Sequence, residues 1–116
     1  MPKLIVLNRG LHGFGCDLVV EKTTIGRSVD NTFRIPDTSV SRHHAVVIQR
    51  GADVLVSDLG SSNGTFIEGQ EVRPHTEVAL KLGQIVRLGE VDLRLETEEE
   101  AVAPGSVDVT QIFRKT

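Results

Sequence analysis

Three polar clusters stand between short apolar runs: Gly26-Arg27, Ser41-Arg42-His43-His44, and Gly60-Ser61-Ser62-Asn63-Gly64-Thr65. If one end of a scaffold gathers them, they offer a guanidinium, several hydroxyls, an amide and backbone N–H groups freed by glycine. Arginine supplies a planar fork of donors and serine adds short hydrogen bonds, so the set suits a phosphate ester. Turnover is not expected, because no strong nucleophile has a base beside it. Ser41, His44 and Asp58 are the residue types of a hydrolytic triad, but no serine is expected to sit in a nucleophile elbow of the form Gly-x-Ser-x-Gly.

Other reactive residue types have plainer readings. His43 and His44 are adjacent, and on a strand their side chains would point to opposite faces, so they are poorly placed to share a metal. His12 and His75 stand alone near turns, and Cys16 lies in an apolar run as a small core residue. None of the glycines forms a phosphate loop ending in Gly-Lys-Ser or Gly-Lys-Thr, so no nucleotide, cofactor or metal is expected. Asn63-Gly64-Thr65 spells a glycosylation sequon, but no secretory leader accompanies it.

The elements that must position these clusters are strands. Apolar runs of four to six residues, rich in Val, Ile and Leu, are separated by Gly, Asp, Asn and Ser. Strands are expected over residues 3–7, 16–21, 23–25, 32–35, 45–49, 54–58, 65–67, 71–73, 76–79, 85–88 and 91–95. Tight hairpin turns are expected at Glu68-Gly69-Gln70 and Gly89-Glu90. About eleven short strands without helical crossovers favour an all-β, two-sheet sandwich over a parallel α/β sheet. With four Phe and no Trp or Tyr, the core must be mainly aliphatic.

In order and spacing, Gly26-Arg27, Ser41-x-x-His44 and Asn63-Gly64-Thr65, within Asp58-Leu59-Gly60-Ser61-Ser62-Asn63-Gly64-Thr65-Phe66, resemble the signature of the forkhead-associated (FHA) domain family. The resemblance covers about residues 3–96 and implies an FHA/SMAD-like β-sandwich that binds phosphothreonine peptides without catalysis. It implies that Arg27 and Ser41 hold phosphate oxygens and that Ser62 adds a hydroxyl. Arg42 would make a second contact to phosphate or peptide, and Asn63 would bond the peptide main chain. It further implies that Gly26, His44, Gly64 and Thr65 support the site, and that a small pocket accepts the threonine methyl. The implied role is a signalling adaptor downstream of a Ser/Thr protein kinase. The alternative is a structural interaction domain that binds partners independently of phosphorylation.

Length and charge agree with a single binding module. The chain has 116 residues and a formal net charge of −3, which recommends neither nucleic acid nor an anionic membrane as partner. Its single cysteine excludes an internal disulfide, and no run approaches the ~20 apolar residues of a membrane helix, so a cytoplasmic protein is expected. Residues 1–96 read as the domain and 97–116 as an acidic linker and tail. Within the tail, Asp108-Val109-Thr110-Gln111-Ile112-Phe113 regains apolar character. This segment is either a docking peptide or a free end. Thr110, with an acidic residue two before and a bulky apolar residue three after, is a candidate phosphorylation site that the domain could recognise in cis or in trans.

Overall fold

The structure, a computed structural model, describes residues 2–8 and 14–97. Eleven strands occupy the chain: β1 Pro2–Val6, β2 Gly15–Asp17, β3 Lys22–Gly26, β4 Phe33–Arg34, β5 Ala45–Arg50, β6 Asp53–Asp58, β7 Thr65–Ile67, β8 Gln70–Glu71, β9 Val78–Ala79, β10 Ile85–Leu88 and β11 Val91–Thr97. They form two sheets, one ordered β2-β1-β11-β10-β7-β8 and the other β4-β3-β5-β6-β9. The expected all-β sandwich is therefore the observed fold. Every pairing within the two sheets is antiparallel except that of β3 with β4, which is parallel and sets Gly26 opposite Arg34.

The period of two along each strand sorts side chains between core and solvent. On β11, Val91, Leu93 and Leu95 are buried while Asp92 and Arg94 face outward. Leu4 and Val6 of β1, Ile25 of β3, Val47 of β5, Val56 of β6 and Val86 of β10 meet them between the sheets. The core is aliphatic as expected, with Phe33 its one aromatic member among the described residues.

Both hairpins form where glycine punctuates the sequence. Ile67 pairs with Gln70 around Glu68-Gly69, whose φ angles of 48° and 82° are those of a type I′ turn. Leu88 pairs with Val91 around Gly89-Glu90.

Four strands are shorter than expected. The run 16–21 pairs only as far as Asp17, because the chain then leaves the first sheet to enter the second as β3. Leu18 dives into the core, Val19 and Val20 are left exposed, and the Gln49 side-chain amide, not a ladder strand, takes the Leu18 and Val20 carbonyls. β4 is cut to two residues ahead of Pro36, which has no N–H to continue pairing. β8 sits one residue earlier than expected, and residues 72–76 turn away with Pro74 bridged to Asp58. β9 keeps only the second half of its run.

Leu93 is fully buried and is paired on both sides, with Val6 of β1 and Val86 of β10. Leu93→Ala is expected to lower the free energy of unfolding by about 2–5 kcal/mol through lost transfer energy and the cavity left behind. Urea titration measures it, and an unchanged midpoint would contradict this placement of the core.

Candidate functional site

The three clusters meet at one end of the second sheet, because β3, β5 and β6 are neighbours and their loops emerge there. Beyond β3, the Arg27 N–H donates to the Ser41 carbonyl at 2.9 Å and the Ser28 N–H to the Arg42 carbonyl at 3.2 Å. This pairing draws the backbone of Arg42 onto Gly26. A Cβ at position 26 would lie 2.1 Å from the Arg42 oxygen, so no side chain fits there. Asn31 seals the same junction: its Nδ2 donates to Ser28 O at 2.9 Å and to Arg42 O at 2.7 Å. Asn31 was not singled out from sequence. Its only local signal is that asparagine is common in turns.

His44 ties all three loops together. Its Nδ1 accepts from the Ser41 N–H at 3.0 Å, and its Nε2–H donates to the Gly64 carbonyl at 2.9 Å. These roles require the neutral Nε2–H tautomer. The His44 N–H also donates to Ile25 O, and its own carbonyl accepts from Leu59 N–H, both at 2.9 Å. Burial pushes the imidazole below its ordinary value of 6.5, although the Gly64 bond and the Asp58 charge act in the opposite sense. His43 and His44 both precede β5, in the loop that begins at Ser41, as expected of a cluster that stands between strands. They still diverge, with His43 exposed and paired to Asp30 at 3.0 Å.

Asp58, at the end of β6, organises the third loop. Its Oδ1 accepts from the hydroxyls of Ser61 and Thr65, each at 2.6 Å. Its Oδ2 accepts from the N–H groups of Gly60 at 2.9 Å and Ser61 at 3.0 Å. Burial by itself would raise this carboxyl, but the four bonds outweigh it and leave the group below its usual value. Thr65 is fully buried beneath the loop. Gly64, at φ +90°, presents its carbonyl to His44 in a conformation that favours glycine. Sequence alone placed Asp58 in the signature stretch and among the triad residue types without a role in the loop, yet it is the acceptor that shapes this turn.

What faces outward is a donor surface. Arg27 is anchored through Nε to the Val40 carbonyl at 3.0 Å, and its other guanidinium donors meet no acceptor among the described residues. The Ser41 Oγ accepts from the Ser62 N–H at 3.0 Å, which leaves the Ser41 hydroxyl proton to donate and joins two loops at one point. The Ser62 hydroxyl and the Arg42 guanidinium are exposed beside it. Asn63 donates Nδ2 to Ser39 O at 2.8 Å, so its Oδ1 is the atom that remains to accept an N–H. Ser39 is a second residue missed from sequence. Held by Asp37, it also accepts the Glu90 N–H at 2.9 Å and so links the β10–β11 hairpin to the site.

A hydrolytic site is not assembled. The two ring nitrogens of His44 are committed to backbone groups, and Asp58 faces Ser61 and Thr65. Gly60-Ser61-Ser62-Asn63-Gly64 does spell Gly-x-Ser-x-Gly around Ser62, but the elbow belongs to a strand-to-helix turn, and this loop joins β6 to β7. Among the described residues no three His, Cys, Asp or Glu side chains converge as a metal site, and no helix is long and apolar enough to cross a membrane. Cys16 is half-buried at the edge of the core, its thiol raised by burial and by the neighbouring Asp17. Thr110 and His12 lie outside the described residues.

The pH response of the site has a definite sign. Folded His44 resists the proton that the unfolded chain accepts at its ordinary value, so its contribution is complete above about pH 6.5 and is lost as pH falls below it. Urea titrations from pH 8 to 5 are expected to show this decline in the wild type. His44→Ala should lack the decline and start about 2–4 kcal/mol lower, since it leaves a cavity and two unpaired backbone groups. A flat wild-type profile would contradict the neutral tautomer.

The FHA domain family model matches residues 23–89. The FHA domain-containing protein FhaB of Mycobacterium tuberculosis (strain H37Rv) is 35% identical over 92 residues, which make up 79% of this chain and 58% of FhaB. The chain thus spans a little over half of that relative. Among solved structures, a chain from a structural and functional analysis of phosphothreonine-dependent FHA domain interactions superposes with a TM-score of 0.73 at 31% identity, covering 83% of this chain and 95% of its own. The FhaA FHA domain complexed with the intracellular domain of Rv3910 gives 0.74 at 33% identity, with 83% and 100% covered. The match spans most of the sandwich and all three loops that His44 ties together, and the chain belongs to the FHA domain family.

Proposed function

We propose that this chain is a phosphothreonine-peptide-binding module acting as a signalling adaptor downstream of a Ser/Thr protein kinase. The observation that carries the reading is the convergence of Arg27, Ser41 and Ser62 through the Arg27 N–H to Ser41 O bond of 2.9 Å and the Ser62 N–H to Ser41 Oγ bond of 3.0 Å. A phosphothreonine carries about −1.5 to −2 charge near pH 7 and three strong acceptor oxygens. Arg27 and the hydroxyls of Ser41 and Ser62 meet those oxygens, Arg42 adds charge, and Asn63 Oδ1 takes a main-chain N–H of the peptide. Gly26, His44, Gly64 and Thr65 hold the loops in place. The phosphothreonine dependence described for one similar structure and the bound protein partner of another support the same reading.

Capture is reversible and involves no turnover. Each charge-assisted hydrogen bond contributes about 1.5–3 kcal/mol before ordering costs are subtracted. Arg27→Ala is expected to weaken binding of a phosphothreonine peptide at least ~100-fold without unfolding the domain, and Ser41→Ala about 10-fold, the loss of one such bond. Calorimetric titration with phosphorylated and unphosphorylated peptide measures both. Near wild-type affinity in Arg27→Ala would overturn the site, and binding indifferent to phosphorylation would favour a structural interaction domain.

One candidate ligand is the chain's own tail around Thr110. β11 starts at the site rim beside Glu90 and ends at Thr97 on the opposite pole, about 20 Å away at the rise of a strand. The residues from Thr97 to Thr110 extend to about 43–47 Å, enough to return in cis. A short tether sets an effective concentration of about millimolar, which competes with weak external peptides. Phosphorylation of Thr110 is expected to shift the amide resonances of Arg27 and Ser41 or to raise the oligomeric mass. If both stay put, tail recognition is wrong.

A further inference from the structure

Seven arginines lie among the described residues, and they divide by whether a carboxylate pairs with them. Arg50, Arg87 and Arg94 are ion-paired with Glu77, Asp92 and Glu96. Arg27, Arg34, Arg42 and Arg73 pair with no carboxylate among the described residues, and all four lie towards the end of the sandwich that carries the loops. Arg27 and Arg42 belong to the phosphate surface. Arg34 does not, and neither family resemblance nor motif drew attention to it.

β4 is the edge of its sheet and runs parallel to β3, which places Arg34 opposite Gly26 and one strand spacing, about 4.8 Å, outboard of the phosphate-facing strand. Its Nε donates to the Arg27 carbonyl at 3.0 Å, which restrains the plane of the guanidinium. The remaining donors are exposed and meet no acceptor among the described residues. Across this end of the sheet the order is therefore Arg34, Arg27, Ser41, then Ser62 and Asn63. A peptide whose phosphate sits on Arg27 and Ser41 and whose main chain meets Asn63 would carry its other flank over Arg34.

We propose that Arg34 is a specificity-determining residue that selects phosphothreonine peptides carrying an Asp or Glu within about three residues of the phosphothreonine, on the flank away from Asn63. This rests on the phosphopeptide reading above. An extended peptide advances about 3.3 Å per residue, so one to three steps bring a carboxylate over a neighbouring strand. The gain is that of a partly exposed, bidentate-capable ion pair, about 3- to 5-fold in affinity and sensitive to salt.

The test uses a phosphothreonine peptide with alanine flanks and variants with a single Asp at each of the three positions on either side. Dissociation constants are measured at low salt for wild type and Arg34→Gln, with melting temperatures to verify folding. One position, or adjacent positions on one flank, should bind wild type 3- to 5-fold tighter than the alanine peptide, and that ratio should fall to near one in Arg34→Gln and in 0.5 M salt. No preferred position, or the same ratio in Arg34→Gln, overturns the proposal. If the alanine peptide still binds only when phosphorylated, the failure is confined to Arg34. If phosphorylation makes no difference, the phosphopeptide reading fails as well.

Discussion

The functional end of this domain depends on one buried imidazole. Through side chain and backbone, His44 joins the end of β3, the Ser41 turn, the start of the β6–β7 loop and the Gly64 carbonyl. Loops at the end of a sandwich normally move independently, and ordering each one costs conformational entropy. A single residue that is donor to one loop and acceptor from another makes their positions conditional on each other. That is why a neutral His, and not a charged residue, is held where burial opposes protonation.

Asp58 plays the complementary role within one loop. Its two oxygens satisfy four donors and convert Gly60 to Thr65 into a fixed turn whose outward side carries the Ser62 and Asn63 groups. The carboxylate faces into the loop, where its four donors offset part of its repulsion of an anion at the surface. Arg27, Arg34 and Arg42 lack carboxylate partners among the described residues, whereas Arg50, Arg87 and Arg94 are paired with Glu77, Asp92 and Glu96. The guanidinium donors of the first three are thereby left available to an anion in a chain whose net charge is negative.

Much of the fold was legible because strand alternation and glycine turns are local signals. The runs around Val47, Val56 and Leu93 became β5, β6 and β11 nearly as expected, and Gly69 and Gly89 marked both hairpins. The run ending in Val19-Val20 misled because alternation cannot report that a chain is leaving one sheet for another. The outward groups Arg27, Ser41, Ser62 and Asn63 were also readable from type and spacing. Their supports Asn31, Ser39 and Asp58 were not, since an Asn, Ser or Asp in a loop looks the same whether it caps a turn or faces water.

The sequence by itself determined the strand pattern, the aliphatic core and the presence of three donor-rich loops, because each depends on residues close together along the chain. Only the tertiary structure decided that His44 is the common partner of all three loops and that Asp58 points inward. It alone placed Arg34 beside Arg27, through the parallel pairing of β4 with β3. The bond of Arg34 to Arg27 and that of His44 to Gly64 join residues 7 and 20 positions apart, partners that are selected only when the strands assemble.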